Sequence, residues 1–202
     1  MGEARRRGRP RDATADLAIL EATRDLLIEN GYARLSMEGV AARTGVGKPT
    51  VYRRWPSKGA LVADALHHSL LATAPGHAAT PPDTGDIERD LRTWHAAYTR
   101  ITTDPRTVPL VLALTAAAAE SPDDAEVLYR QLSGPQHRAL TDRLRAAADA
   151  GQLRADIDLE DLDAVADALI GALLYQLLRG NVVTSGRRAS ALVDILLAGL
   201  RD

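Results

Sequence analysis

One stretch limits the fold more than any other: Thr44-Gly45-Val46-Gly47-Lys48-Pro49-Thr50-Val51-Tyr52-Arg53-Arg54-Trp55-Pro56-Ser57-Lys58. A glycine turn, a cationic run and a Trp-Pro stop leave room only for a very short helix. Just upstream, Ser36 is placed to cap another short helix, and Met37, Val40 and Ala41 fall on one face at i, i+3, i+4. Gly45 supplies the left-handed residue that ends it, with Val46 dropping into the core behind. Pro49 is tolerated in the first turn of the next helix, where the amide it lacks has no helical partner. Two short helices about a glycine turn make a helix-turn-helix, whose second member can enter a DNA major groove.

That second helix offers Lys48, Thr50, Tyr52, Arg53 and Arg54. Thr50 is short enough to let the backbone approach and to meet a base edge or a thymine methyl. Tyr52 has a hydroxyl for phosphate. Lys48, Arg53 or Arg54, and Lys58 bring charge, which positions a protein on DNA more than it specifies sequence. Val51 reads as core. Trp55 reads as packing under the motif with its indole N–H free for a phosphate, and Ser57 as the cap of a fourth helix. Gly39 costs about 1 kcal/mol against Ala inside a helix, and the sequence offers no reason for it. Ahead of the motif, residues 1–12 form a basic arm, with five arginines in Arg5-Arg6-Arg7-Gly8-Arg9-Pro10-Arg11 and no apolar partner. Such an arm stays disordered alone and suits phosphates or a minor groove; a solubilising tail is the alternative. The candidate DNA-contacting residues are Arg9, Ser36, Gly47, Lys48, Pro49, Thr50, Tyr52, Arg53, Arg54, Trp55 and Lys58.

Charge agrees with this placement. Against whole-chain totals of 25 Lys/Arg and 27 Asp/Glu, the first 58 residues hold twelve and seven, a net of +5. The remainder, with 13 and 20, is −7. A basic front and acidic back suit a polyanion at one end only. The 202 residues contain no Cys and no Phe, so the core rests on Leu, Ala and Val and no thiol chemistry exists. Neither an 18-residue apolar run nor a secretion signal is visible, so a cytoplasmic protein with no membrane partner is expected.

The periodicity is helical from end to end, predicting an all-α fold of about nine helices. An N-terminal three-helix helix-turn-helix domain (13–58) is followed by a linking helix (59–73) and a C-terminal helical bundle (86–202). The first helix covers 16–30 and ends at Asn30-Gly31, with Tyr32 packing back as a plug. Residues 74–85, rich in Pro, Gly and Thr, mark the boundary. Ile87, Leu91, Trp94, Tyr98 and Ile101 recur at helical spacing, and 107–120 reads as a buried helix with Val111, Leu114 and Ala118 on one face. Pro122 starts a helix that runs to about 150 with a kink or break at Gly134-Pro135. Asp158 caps 159–178, and a last helix covers 186–200. These two are apolar on nearly all sides, so one face can serve the core and the other a second subunit; a central position in a larger core is the alternative. Candidate dimer residues are Leu169, Leu173, Gln176, Leu177, Leu192, Ile195 and Leu196. Trp94, His95, Tyr98, Leu114 and Tyr175 are candidates for a mostly apolar ligand wall, or else plain core.

From about residue 16 to 65 the chain resembles the DNA-binding domain of the TetR family of bacterial transcription regulators. The resemblance lies in a helix ending at Asn30-Gly31-Tyr32, then Ser36-Met37, Val40-Ala41, Gly45-Val46, Thr50 to Lys58 and Ala60-Leu61. Beyond, it is architectural only, with Gly151 to Asp158 similar to the linker before the dimer helices. It implies a homodimer that binds a pseudopalindromic operator in double-stranded DNA, most simply a repressor released by an apolar small-molecule effector. A DNA-binding regulator without a ligand, constitutive or governed by a protein partner, is the alternative. An enzyme is not expected: the chain has no cysteine nucleophile, no phosphate-cradling glycine loop and no His-Glu-x-x-His pattern, and adjacent His67-His68 point about 100° apart on a helix. No cofactor or metal is called for.

Overall fold

The computed structural model describes residues 13–73, 80–179 and 185–201. Its α-helices are α1 (Ala13–Arg34), α2 (Met37–Thr44), α3 (Lys48–Arg54), α4 (Lys58–Thr73), α5 (Ile87–Thr102), α6 (Val108–Glu120), α7 (Pro122–Leu128), α8 (Gly134–Asp149), α9 (Leu159–Leu178) and α10 (Ser185–Leu200). A π-helical turn, Tyr129–Ser133, joins α7 to α8. The basic arm with Arg9, and residues 74–79 of the expected boundary, lie outside the described residues.

Local chemistry sets most helix ends. Ser36 Oγ accepts from Gly39 N at 3.0 Å, and a Cβ on Gly39 would stand 3.1 Å from that oxygen. The glycine thus leaves room for the cap that starts its own helix. Asp86 accepts from Glu88 N and Arg89 N, Ser121 Oγ from Asp124 N, and Asp158 and Asp161 form a reciprocal capping box. Gly31 (φ 73°, ψ 173°) breaks the helical backbone of α1 where expected, and a short further helical turn across that kink carries the span to Arg34.

At Gly134-Pro135 the chain widens instead of breaking. Pro135 has no N–H for the preceding turn, Gly134 N bonds Tyr129 O five residues back, and a Cβ on Gly134 would lie 3.0 Å from that carbonyl. A π-turn relieves the crowding and carries helical hydrogen bonding from α7 into α8.

Two cores result. The first joins Ile19, Leu27, Tyr32, Val40, Val51, Trp55 and Leu61 to Leu110, Ala117 and Leu128, with α1 packed on α6 and α4 on α7, so that the helix-turn-helix is carried on the body by its two flanking helices. The second gathers Trp94, Leu140, Leu144, Leu169, Val193 and Leu197. Helix α6 turns Leu110, Ala113 and Ala117 into the core, while Val111 and Leu114, expected there, are only half-buried.

Candidate nucleic-acid interface and effector cavity

Helix α3 stands outward because its apolar content is one residue deep. Val51 is wholly buried, while Gly47, Lys48, Pro49, Tyr52 and Arg53 are exposed and Thr50 is half-buried. Gly45 (φ 68°) turns the chain between α2 and α3, and Trp55 N closes α3 on Val51 O at 2.9 Å.

Several of the expected contacts are engaged within the protein. Trp55 is buried, and its indole N–H, expected free, donates to Asp64 Oδ2 at 2.8 Å. Arg54 Nη1 sits 2.6 Å from Asp16 Oδ1 in a half-buried ion pair, although the two atoms are not aligned as a hydrogen bond. Lys58 Nζ donates to Tyr32 O at 3.2 Å and lies 3.9 Å from the centre of the Tyr32 ring. Ser57 Oγ accepts from Ala60 N, as a cap should. Ser36 is exposed, with its hydroxyl occupied by Gly39.

Glu38, absent from the expected contacts, belongs to this face. Its Oε1 accepts from the Tyr52 hydroxyl at 2.8 Å. That bond, helped by its own backbone amide and Lys48, holds Glu38 below the usual carboxylate range and pushes the Tyr52 phenol up. The only sequence cue is an acid in the first turn of α2, which also reads as favourable helix electrostatics.

The head is stitched to the body through Asp124 at the start of α7. Asp124 Oδ2 accepts from Tyr32 O–H at 2.6 Å and Oδ1 from Gly59 N at 3.0 Å. A Cβ on Gly59 would stand 2.6 Å from Oδ1, so only glycine permits this approach. Burial first, then the Asp124 bond, pushes the Tyr32 phenol far up, and it remains a donor. Tyr32 is thus the expected plug (1% exposed), with a polar task besides.

Behind Asp124 lie two cavities. One, of about 80 Å³, is bounded by α4, α5, α6, the π-turn and the start of α8. The other, of about 270 Å³, is bounded by α5, α6, α7, the π-turn and α9. Tyr98 and Leu114 line both. Trp94 and His95 do not: they are buried, with Trp94 stacked on Tyr98 at 5.1 Å and His95 Nε2 3.3 Å from Leu169 O. Tyr175 is 61% exposed and points away, because one turn of α9 cannot face both the cavity and solvent. For the same reason Leu169, Leu173 and Leu177 turn into the chain's own interior, while Leu192, Gln176 and Leu196 are half-buried and Ile195 is 69% exposed. Among the described residues no group of three or more His, Asp or Glu could hold a metal, and no helix is long and apolar enough to cross a membrane.

A short cationic reading helix carried outward on an all-helical body defines a helix-turn-helix DNA-binding regulator. Comparison with known proteins gives the family. The family model for bacterial regulatory proteins of the tetR family matches residues 19–65, and that for the tetracyclin repressor-like C-terminal domain matches 81–196. The HTH-type transcriptional regulator YdeS of Bacillus subtilis (strain 168) is 31% identical over 173 residues, 86% of this chain and 83% of that protein. The DNA-binding transcriptional repressor TetR of Mycobacteroides abscessus is 28% identical over 197 residues, covering 95% and 96%. The crystal structure of the TetR family transcription regulator SCO0332 superposes with a TM-score of 0.69 at 33% identity, over 93% of this chain and 99% of that one. The chain belongs to the TetR family of helix-turn-helix transcriptional regulators.

Proposed function

We propose that the protein is a dimeric repressor that grips a pseudopalindromic operator through two copies of α3 and is released by a small molecule bound behind Asp124. Residues 13–58 form the reading head, 59–73 the connector, and 86–202 the effector-binding and dimerising part. It works in the cytoplasm, at the nucleoid when bound.

The observation that carries the ligand reading is one of position. Ala125 and Leu128 of α7 line the larger cavity, and Asp124 on the same helix holds both α1 and α4. An occupant that shifts α7 therefore acts on the helices that aim α3. A ligand that favours one spacing of the two heads moves the population away from the spacing the operator requires.

On the DNA, Thr50 reads a base edge, and Tyr52, Lys48 and Arg53 meet the backbone. Trp55, Arg54 and Lys58 support the helix from within. Selection of duplexes from random DNA is expected to yield an inverted repeat. On it, Thr50→Ala is expected to change preference at one position per half-site by about 1–3 kcal/mol, whereas Tyr52→Phe weakens every sequence alike. Equal, sequence-blind losses from both variants would overturn the assignment.

A further inference from the structure

Resting on the reading of the cavities as an effector site, we propose that the effector is an uncharged, elongated, largely apolar molecule with a single hydrogen-bonding group, lying across both cavities.

The walls set the charge that the site can accept. Among the described residues, neither cavity is lined by an Asp, Glu, Lys, Arg or His. An ionised carboxylate or ammonium entering there loses its water and meets no opposite charge, which is heavily unfavourable. The hydroxyls present are poor substitutes. Thr102 donates to Tyr98 O at 2.8 Å and Thr115 to Leu112 O at 2.7 Å, so their protons are spent within their own helices. Burial pushes the Tyr98 phenol up to about 12, which leaves it a neutral donor.

The residues common to both cavities set the shape. Tyr98, Thr102, Val111, Leu114 and Ser133 line both and form a waist between them. Tyr98, Thr102 and Ser133, the last brought there by the π-turn, give the waist its polar atoms, while Thr107 and Gln136 in the first cavity and Thr115 and Tyr129 in the second lie beyond it. Apolar side chains supply most of the remaining wall: Leu66, Leu70, Ile101 and Leu110 in the first cavity, Leu128, Ile170, Leu173 and Leu177 in the second. Together the two volumes reach only the lower end, roughly 300 Å³, of ordinary ligand sites. A narrow chain suits them better than a bulky ring system.

The test uses the full-length protein and three probes of matched chain length near neutral pH: 1-decanol, decanoate and decylammonium. Calorimetric titration and thermal shift read binding. Decanol is expected to bind and to raise Tm, with both ions at least about tenfold weaker. Leu114→Trp, which plugs the waist, is expected to weaken decanol at least tenfold while DNA binding persists. Tyr98→Phe is a milder change that keeps the fold. It is expected to weaken decanol about fivefold and to leave the Tm of the free protein nearly unchanged. Equal or tighter binding by either ion, with loss on Leu114→Trp, overturns the absence of charge but keeps the effector site. Binding of decanol that neither variant weakens overturns the placement. Silence from all three probes in protein that still binds DNA overturns the ligand class and the effector reading together.

Discussion

Under the proposed DNA contacts, Glu38 stands on the surface that a phosphate would approach, with the Tyr52 hydroxyl turned toward it at 2.8 Å. DNA has to draw that hydroxyl away and bring its own negative charge beside the carboxylate, so Glu38 opposes binding twice. Glu38→Gln is expected to tighten binding to every duplex by about two- to fivefold at moderate salt, with base preference unchanged. Fluorescence anisotropy on matched and scrambled duplexes reads this, and weaker binding would show instead that the carboxylate holds Tyr52 in its reading position. The same face shows what a sequence leaves hidden. It displayed Trp55, Arg54 and Lys58 as an available N–H and two cations, but their partners Asp64, Asp16 and Tyr32 come from other helices. Residue type was legible there; occupancy was not. Val51 was legible, because an apolar residue in a seven-residue cationic helix has only one useful direction to face.

Helices were legible where their ends are chemically local. Ser36, Asp86, Ser121 and Asp158 each bond amides within three residues, so the caps could be read directly. The π-turn was not legible beyond a disturbance at Gly134-Pro135, since the chain's answer to a missing N–H depends on what packs around it. The packing of α5 was equally hidden, and two of its residues give tests. Asp90, fully buried, accepts from Arg143 at 2.6 and 2.9 Å and from the Thr84 amide and hydroxyl. Burial alone would raise its pKa, but Thr84 and Arg143 outweigh it and hold the carboxyl below its ordinary value. Its stabilisation is therefore present above about pH 4 and is lost as pH falls through the lower folded value. Asp90→Ala strands a buried guanidinium and is expected to cost about 3–5 kcal/mol in urea unfolding; a loss under 1 kcal/mol would mean that Asp83, 3.4 Å from Arg143, takes over. His95 works in the opposite range. Burial lowers its pKa, against a weaker opposing pull from the Leu169 carbonyl, and because a carbonyl only accepts, Nε2 carries the proton of the neutral ring. The unfolded chain then takes up a proton first, so stability declines as pH falls below about 6.5 and levels off beneath the folded value. His95→Gln is expected to flatten that part of the stability curve, measured by thermal unfolding across pH.

At the scale of the molecule, an outer apolar face on α9 and α10 could be foreseen, but not which side it occupies. When nearly every position of a helix is apolar, periodicity gives no direction, and Leu169, Leu173 and Leu177 were as good as any; all three lie inside. What faces outward is Tyr175, Leu178 and Ile195, between 60% and 69% exposed, set among exposed Ala164, Gly171, Ala191, Ala198 and Gly199. Small residues beside large ones let two helix pairs approach closely, and the buried Gln176 Oε1 finds no hydrogen-bond partner among the described residues. A two-fold copy seated here would cover the apolar patch and bring a donor within reach of Gln176. Ile195→Glu leaves the chain's own core untouched, because the side chain is not part of it, but places an unpaired charge where the copies meet. It is expected to sediment as a monomer with near-wild-type helical content. A single head then meets only half of an inverted repeat, so affinity for the full site should fall by about a hundredfold or more as the linked second contact is lost. Tyr175→Arg, on the other helix of the same face, should do likewise. If both variants remain dimers, the subunits meet elsewhere, and the spacing of the two α3 helices has to be sought from that other face.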